Sequence, residues 1–273
     1  MTSRKQEEPD ETAHDEKLVG ADRVLALLVE LAQHPEGATL DDLAASLHGS
    51  KSTIHRALGA LVRSGLADQS GRGQYVLGDE FVRLAFRYHE ARPATALLEP
   101  VLRELSVRFG ETAHYAVLDG HAVVYRAKID PEVGAVRLSS AVGGRNSAVH
   151  TAVGKVLLCE LLTTAEEVTD WLDGTVMEQR TPNSITSVDA FTEELRLTRE
   201  RGFGIDAQEN ELGVNCLAVP VRLGGERTPT GAISVSALTF RLPLERLVES
   251  YGLIADTIER TLGAGTVRPL RSH

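Results

Sequence analysis

The sequence predicts an α+β protein in two parts, and three observations carry that assignment. Residues 39–77 read as two short helices around a tight turn, followed by a hairpin punctuated by glycine. Beyond residue 110, apolar strand-like runs separated by turn signals alternate with stretches of helical period. At 273 residues the chain exceeds one small module and suits two domains.

The first 19 residues open the chain with a tail. Within it Arg4, Lys5 and Lys17 face Glu7, Glu8, Asp10, Glu11, Asp15 and Glu16 with almost nothing apolar, so disorder is expected. A helix from about Asp22 to His34 carries Val24, Leu25, Leu27, Leu28 and Leu31 and ends at Pro35-Glu36-Gly37. Thr39 then caps a second helix, with Asp42 three residues on and Leu40, Leu43, Ala44 and Leu47 at helical spacing. His48-Gly49-Ser50 breaks it. Ser50 or Ser52 caps a third helix whose buried face is Ile54, Ala57, Leu58, Leu61 and Val62, and Gly65 supplies a left-handed stop. Leu66–Asp68 and Tyr75–Leu77 flank the loop Gln69-Ser70-Gly71-Arg72-Gly73-Gln74, whose glycines permit a hairpin.

That order of signals describes a winged helix-turn-helix, in which the second helix of the pair lies in the major groove with its N-terminal residues nearest the base edges. Lys51, Ser52, Thr53, His55 and Arg56 occupy that end and are the candidate DNA contacts. Arg72 rides the tip of the wing, where phosphate or minor-groove positioning is expected of it rather than sequence readout. An αα-hairpin with a few surface cations can also be a mere packing unit. Agreement of caps, stops and turns across the whole stretch favours the DNA reading.

Charge agrees locally. The chain is acidic, with a formal net charge of −10, which by itself argues against a nucleic-acid partner. Residues 50–75 nevertheless set Lys51, Arg56, Arg63 and Arg72 against Asp68 alone. Cations are concentrated where the motif needs them, and the acidic remainder discourages phosphate binding elsewhere.

After the wing, Asp79 can cap a helix that ends before Pro93. A further helix over Ala96–Phe109 carries Leu97, Leu98, Val101, Leu102 and Leu105, with Pro100 in its first turn. Residues 81–109 are thus expected to link a DNA-binding domain at 20–80 to a second domain at 110–264, leaving 265–273 as a C-terminal tail. In that second domain Thr112–Leu118 and Ala122–Ile129 flank the hairpin signal Asp119-Gly120. Val136–Val142 reads as a third strand that Gly143-Gly144 ends. Thr151–Leu162 and Ser187–Arg201 read as helices, Asn215–Leu223 and Gly231–Leu238 as strands, and Leu244–Leu262 as a closing helix. An antiparallel sheet with packed helices is expected.

The stretches SKSTIHRALGALVRSGLAD, ETAHYAVLDGHAVVYRAKID, VGGRNSAVHTAVGKVLL, RGFGIDAQENELGVNCLAVPV and GAISVSAL together resemble the IclR-type transcriptional regulators. The resemblance spans nearly everything between about residues 20 and 260. It implies a winged helix-turn-helix joined by a linker helix to a GAF-like effector-binding domain. It also implies a pocket for small organic or aromatic acids built from Thr151 and Ala152, from Asp206 and Cys216, and from Ser234 and Ser236. The residues suit that chemistry. A helix opening at Thr151 offers unpaired N–H groups to a carboxylate, and Ser234 and Ser236 share one face of a strand. Alone, each has a duller use: a solvated strand face, a core cysteine, an Asp holding a turn. The chain departs from the family pattern just before that helix, with Ser147 and Val149 in place of a proline and a histidine and with His150 one position later. Arg126, Arg137 and Arg145 are open candidates for adding positive charge.

Rival chemistries fit poorly. Gly154-Lys155 lacks the rest of a phosphate-cradling loop. Sequence alone places none of His114, His121 and His150 beside Cys216 as the base a thiol nucleophile needs. With Cys159 and Cys216 the only cysteines and no HExxH, neither a metal nor another cofactor is expected. A catalytic GAF-like domain or a ligand-independent regulator are the alternatives. The expected partners are operator DNA, a small acid effector and further copies of the chain, as a dimer or a dimer of dimers. Without an apolar run of about 18 residues or the core of a signal peptide, no membrane partner is expected and the cytoplasm is the expected location. Whether such a regulator acts as a repressor depends on where its operator lies, which no residue encodes.

Overall fold

The structure, a computed structural model, describes residues 20–70, 73–90, 93–131, 138–268 and 270. The expected N-terminal tail, the wing tip with Arg72, and Arg137 lie outside the described residues. The chain divides after Ala91 into two compact units.

In the first unit, α1 (Gly20–Leu31), β1 (Ala38–Thr39), α2 (Leu40–Ser46), α3 (Lys51–Arg63), β2 (Ala67–Gln69), β3 (Gln74–Leu77) and α4 (Asp79–Glu90) follow one another. Thr39 and Asp42 form a reciprocal box at the start of α2: Asp42 N donates to Thr39 Oγ1 at 3.2 Å, and Thr39 N donates to Asp42 Oδ2 at 3.0 Å. His48 turns the chain with a φ of 47°, and Ser50 rather than Ser52 caps α3. Gly65, at a φ of 73°, stops it. Leu27, Leu31, Leu43, Ile54, Leu58, Leu61 and Tyr75 close the core. Three details differ from expectation. The first helix ends at Leu31, and Leu25 on its outer face is 60% exposed. Val62 is 38% exposed, because at 100° per residue it points about 80° away from Ile54, off the buried stripe. The two residues Ala38–Thr39 pair with β3, giving a three-stranded wing sheet in the order β1-β3-β2.

The second unit holds α5 (Pro93–Phe109), β4 (Thr112–Asp119), β5 (Ala122–Ile129), β6 (Arg145–Ser147), α6 (Ala152–Leu158), α7 (Ala165–Leu172), α8 (Val188–Arg201), β7 (Gly204–Ala207), β8 (Val214–Val221), β9 (Gly231–Leu238), α9 (Leu244–Glu249) and α10 (Tyr251–Leu262). Its strands form a six-stranded antiparallel sheet in the order β6-β5-β4-β9-β8-β7. One core lies between the sheet and α6, α7 and α8, with Val156, Leu158, Phe191 and Leu195 at its centre. A second lies against α5, α9 and α10, with Leu98, Leu102, Leu105, Ile254 and Ile258. The result is a helix-covered α+β domain.

Several expectations are corrected here. None of residues 138–142 is in a strand; the third strand is Arg145–Ser147. Gly143-Gly144 begins this pairing instead of ending it: Gly143, at a φ of 83°, donates to Tyr125 O at 2.8 Å, and Tyr125 N donates to Gly144 O at 3.1 Å. The strand β7 and the helix α7 were not expected. The closing helix is two helices, broken where the Ser250 hydroxyl donates back to Arg246 O at 2.8 Å. The second helix after the wing starts earlier than expected: α5 begins at Pro93, so Pro100 falls inside it rather than in its first turn.

Two glycines set how closely α6 approaches its neighbours. A Cβ on Gly154 would stand 2.0 Å from Ala148 O, and a Cβ on Gly204 would stand 2.0 Å from Ala152 O. Only hydrogen fits at either place, so the start of α6 lies directly against β7.

Candidate functional site

On α3 the sequence-predicted contacts share an outer face. Lys51, Ser52, His55 and Arg56 are exposed, and Thr53 is half-buried because its hydroxyl meets the capping Ser50 hydroxyl at 2.7 Å. Lys51 is 2.8 Å from Asp41 across the turn, with both side chains exposed, so solvent screens the pair and leaves the ammonium free to exchange partners.

In the second unit, Thr151, Ala152, Asp206, Cys216, Ser234 and Ser236 all line one cavity of about 40 Å³. Strand register does most of this. Asp206 opposes Cys216 and Cys216 opposes Ser236, so the three form one row across β7, β8 and β9. Ser234 opposes His114 of β4 in a neighbouring row. Over this floor comes the start of α6, where Thr151 Oγ1 accepts from Gly154 N at 3.2 Å and donates to Ser147 O at 2.9 Å. Residues 138–140, Asn146, Asn210 and Glu211 complete the wall.

Burial dominates the electrostatics. Asp206 is pushed up to about 7 by loss of solvent, although its Oδ1 accepts from Glu209 N at 2.7 Å and Asn210 N at 3.3 Å, and Lys155 lies near. Burial and the Asp206 carboxyl together raise the Cys216 thiol well above its ordinary value. Its Sγ donates to Ser236 Oγ at 3.1 Å. A thiol held this firmly in its protonated form is a poor nucleophile. Burial pulls His114 down to about 3 and pushes Tyr125 up to about 12. No lysine or arginine lines the cavity among the described residues.

Lys155 supports the site from behind. It is 1% exposed, donates to Ile205 O at 2.8 Å and pairs with Glu209 at 2.5 Å, with Glu194 at 3.6 Å. The buried ammonium therefore ties α6 to the turn that presents Asp206. Gly154-Lys155 thus serves packing and charge pairing here.

His114, Tyr125, Asn146, Asn210 and Glu211 were missed by sequence reasoning. His114 lies in a strand the hairpin signal located, but its neighbour Ser236 is 122 residues away in the chain. Only the pairing of β4 with β9 brings them together. Of the open arginines, Arg126 is the extra residue of a bulge between Tyr125 and Ala127, and Arg145 pairs with Asp119 in solvent; neither lines the cavity. No helix among the described residues is long and apolar enough to cross a membrane.

Comparison with known proteins places this geometry. Residues 87–260 match the bacterial transcriptional regulator IclR C-terminal model, and residues 20–71 match the IclR helix-turn-helix domain. The chain belongs to the IclR family. It is 35% identical over 226 residues to the HTH-type transcriptional regulator XynR of Escherichia coli, covering 81% of this chain and 86% of that protein. It is 33% identical over 245 residues to the HTH-type transcriptional regulator KdgR of the same organism, covering 89% and 90%. Among solved structures, an IclR homologue from Microbacterium hydrocarbonoxydans complexed with 4-hydroxybenzoate shares the fold, with a TM-score of 0.70, 23% identity and coverage of 88% and 98%. Like its relatives, this IclR-family chain is a transcriptional regulator that carries a helix-turn-helix DNA-binding domain.

Proposed function

We propose that the cavity takes a small organic or aromatic acid and that its occupancy modulates operator binding by α3. The observation that carries this is the convergence of Thr151–Ala152, Asp206, Cys216, Ser234 and Ser236, from the start of α6 and three strands, on one cavity. The 4-hydroxybenzoate complex of the Microbacterium homologue supports an aromatic acid as a trial ligand. Because no cation lines the described wall, an acid is received by hydrogen-bond donors: the two serine hydroxyls, the N–H groups at the start of α6, and Asp206 in its protonated form. At about 40 Å³ the cavity has to widen for an aromatic ring.

On DNA, Lys51, Ser52, Thr53, His55 and Arg56 contact the major groove and Arg72 positions the wing. Two copies reading a pseudopalindrome would place half-site centres about 34 Å apart per turn of DNA. The effector acts only if it binds one arrangement of the DNA-binding domains more tightly. Domains at 20–80 and 110–264 with linker helices at 81–109 divide the roles, and the protein works as a dimer or dimer of dimers in the cytoplasm without catalysing a reaction. The high thiol pKa at Cys216 supports a binding rather than a catalytic cavity.

A thermal-shift screen against small carboxylic and aromatic acids tests the reading. A ligand at about 100 times its dissociation constant adds about 2.7 kcal/mol of stability. The expected hit disappears in Ser234→Ala/Ser236→Ala while operator binding persists. Loss of operator binding in that folded double variant would sink the separation of roles.

A further inference from the structure

We propose that His114 is a positioning residue whose tautomer reports what Ser236 meets in the cavity to Ser140 on the cavity wall. This deepens the effector reading above and rests on it. Four side chains form one unbroken line: Cys216 Sγ donates to Ser236 Oγ at 3.1 Å, Ser236 Oγ lies 3.4 Å from His114 Nδ1, and His114 Nε2 lies 2.8 Å from Ser140 Oγ. His114 is 1% exposed, and its ring centre stands 4.7 Å from that of Tyr125. Burial, reinforced by Lys128, keeps the imidazole neutral, so it carries a single N–H.

One proton between two ring nitrogens gives the line a direction. With the proton on Nε2, the ring donates to Ser140 Oγ, and Nδ1 takes the Ser236 O–H. Ser236, already receiving from Cys216, then offers the cavity no proton. With the proton on Nδ1, the ring donates to Ser236, whose own O–H is released into the cavity, and Ser140 spends its O–H on Nε2. The two states differ only in the position of one ring proton and the rotation of two hydroxyls; charge and proton count are equal. A ligand oxygen that accepts from Ser236, as a carboxylate does, selects the second state.

The far end of the line lies where the wall is assembled. Lys128 Nζ donates to Leu138 O at 3.0 Å and to Ser140 O at 2.6 Å, and Ser139 Oγ donates to Glu211 at 3.3 Å. Ser140 is therefore held in place by its backbone while its hydroxyl is free to answer the ring. Ligand chemistry at the floor becomes a change of donor at the wall, carried by one ring proton and two hydroxyl rotations.

Ring-nitrogen NMR of the ¹⁵N-histidine-labelled full chain, with His114 assigned by His114→Gln, reads the tautomer directly. Ser140→Ala removes the partner of Nε2 in both states, leaving a buried N–H unpaired in the first and only a lone pair in the second. It is expected to move the tautomer ratio several-fold toward Nδ1–H, because an orphaned buried donor is the costlier of the two. Ser236→Ala is expected to move it the opposite way. A ratio unchanged in both variants overturns the relay and leaves the effector reading untouched. With 4-hydroxybenzoate as the probe, binding detected by calorimetry is expected to drive the ring to Nδ1–H, and binding without that change overturns the relay. Absence of binding counts against the aromatic-acid reading, while the two serine variants still decide the relay.

Discussion

Replacing Asp206 with asparagine isolates the cost of a buried carboxylate beneath the cavity. Asp206 is 3% exposed and its pKa rises from 3.8 to about 7, with burial the largest cause. Between those two values the folded chain holds a proton that the unfolded chain has released. Stability therefore falls as pH rises through that window and is level above it. Each pH unit inside the window is worth about 1.4 kcal/mol, so the ceiling on the penalty is on the order of 4 kcal/mol at pH 8 and about 2 kcal/mol at pH 5. Asparagine keeps an oxygen for the Glu209 and Asn210 N–H groups but carries no charge at any pH. Urea unfolding of parent and Asp206→Asn at pH 5 and pH 8 should show the variant's advantage growing by about 2–3 kcal/mol toward pH 8. Other titrating groups are common to both proteins and cancel in the difference. An advantage of equal size at both pH values would refute the argument that Asp206 is held near neutrality by burial.

The remaining predictions concern packing, charge and DNA. Lys155→Met should cost about 3–5 kcal/mol in chemical unfolding, because it strands the buried Glu209 carboxylate, and adding Glu209→Gln should recover part of the loss. A single methyl at Gly154→Ala should cost about 3 kcal/mol or more, since the backbone of Ala148 occupies its space; a calorimetric Tm equal to the parent's would contradict the close approach of α6. In operator titrations, Arg56→Ala should lose about 1–3 kcal/mol on the specific site, whereas Arg72→Ala should weaken all sequences alike. An Arg56→Ala footprint identical to the parent's would remove α3 as the reading helix.

Most features legible in the sequence depend on neighbours within one turn of chain. Thr39 with Asp42, Ser50, Gly65 and the Asp119-Gly120 hairpin each announce themselves locally, because a cap or tight turn is satisfied by groups three or four residues away. The same local reading misplaced the third strand. Gly143-Gly144 is a turn signal whether a strand ends or starts there, and only the bonds to Tyr125 decide which. The same local reading puts Val62, at the edge of the periodic stripe, on the buried face, where the structure leaves it 38% exposed.

The six cavity residues were nameable from the chain only through resemblance, and the structure gives the physical basis for their meeting. By itself the sequence determined the class of fold, the helix-turn-helix with its outward cations, and the side chains available for ligand contact. It could not determine which strands pair in which register, and that decided the rest. Register sets Asp206, Cys216 and Ser236 in a row and brings His114 to Ser236 across 122 residues. Burial, equally a property of the whole fold, is what lifts Asp206 to about 7 and makes Lys155 the tie behind the cavity. Caps and turns are short-range hydrogen bonds, whereas register and dielectric are set by segments far apart in the chain, so only the assembled domain contains them.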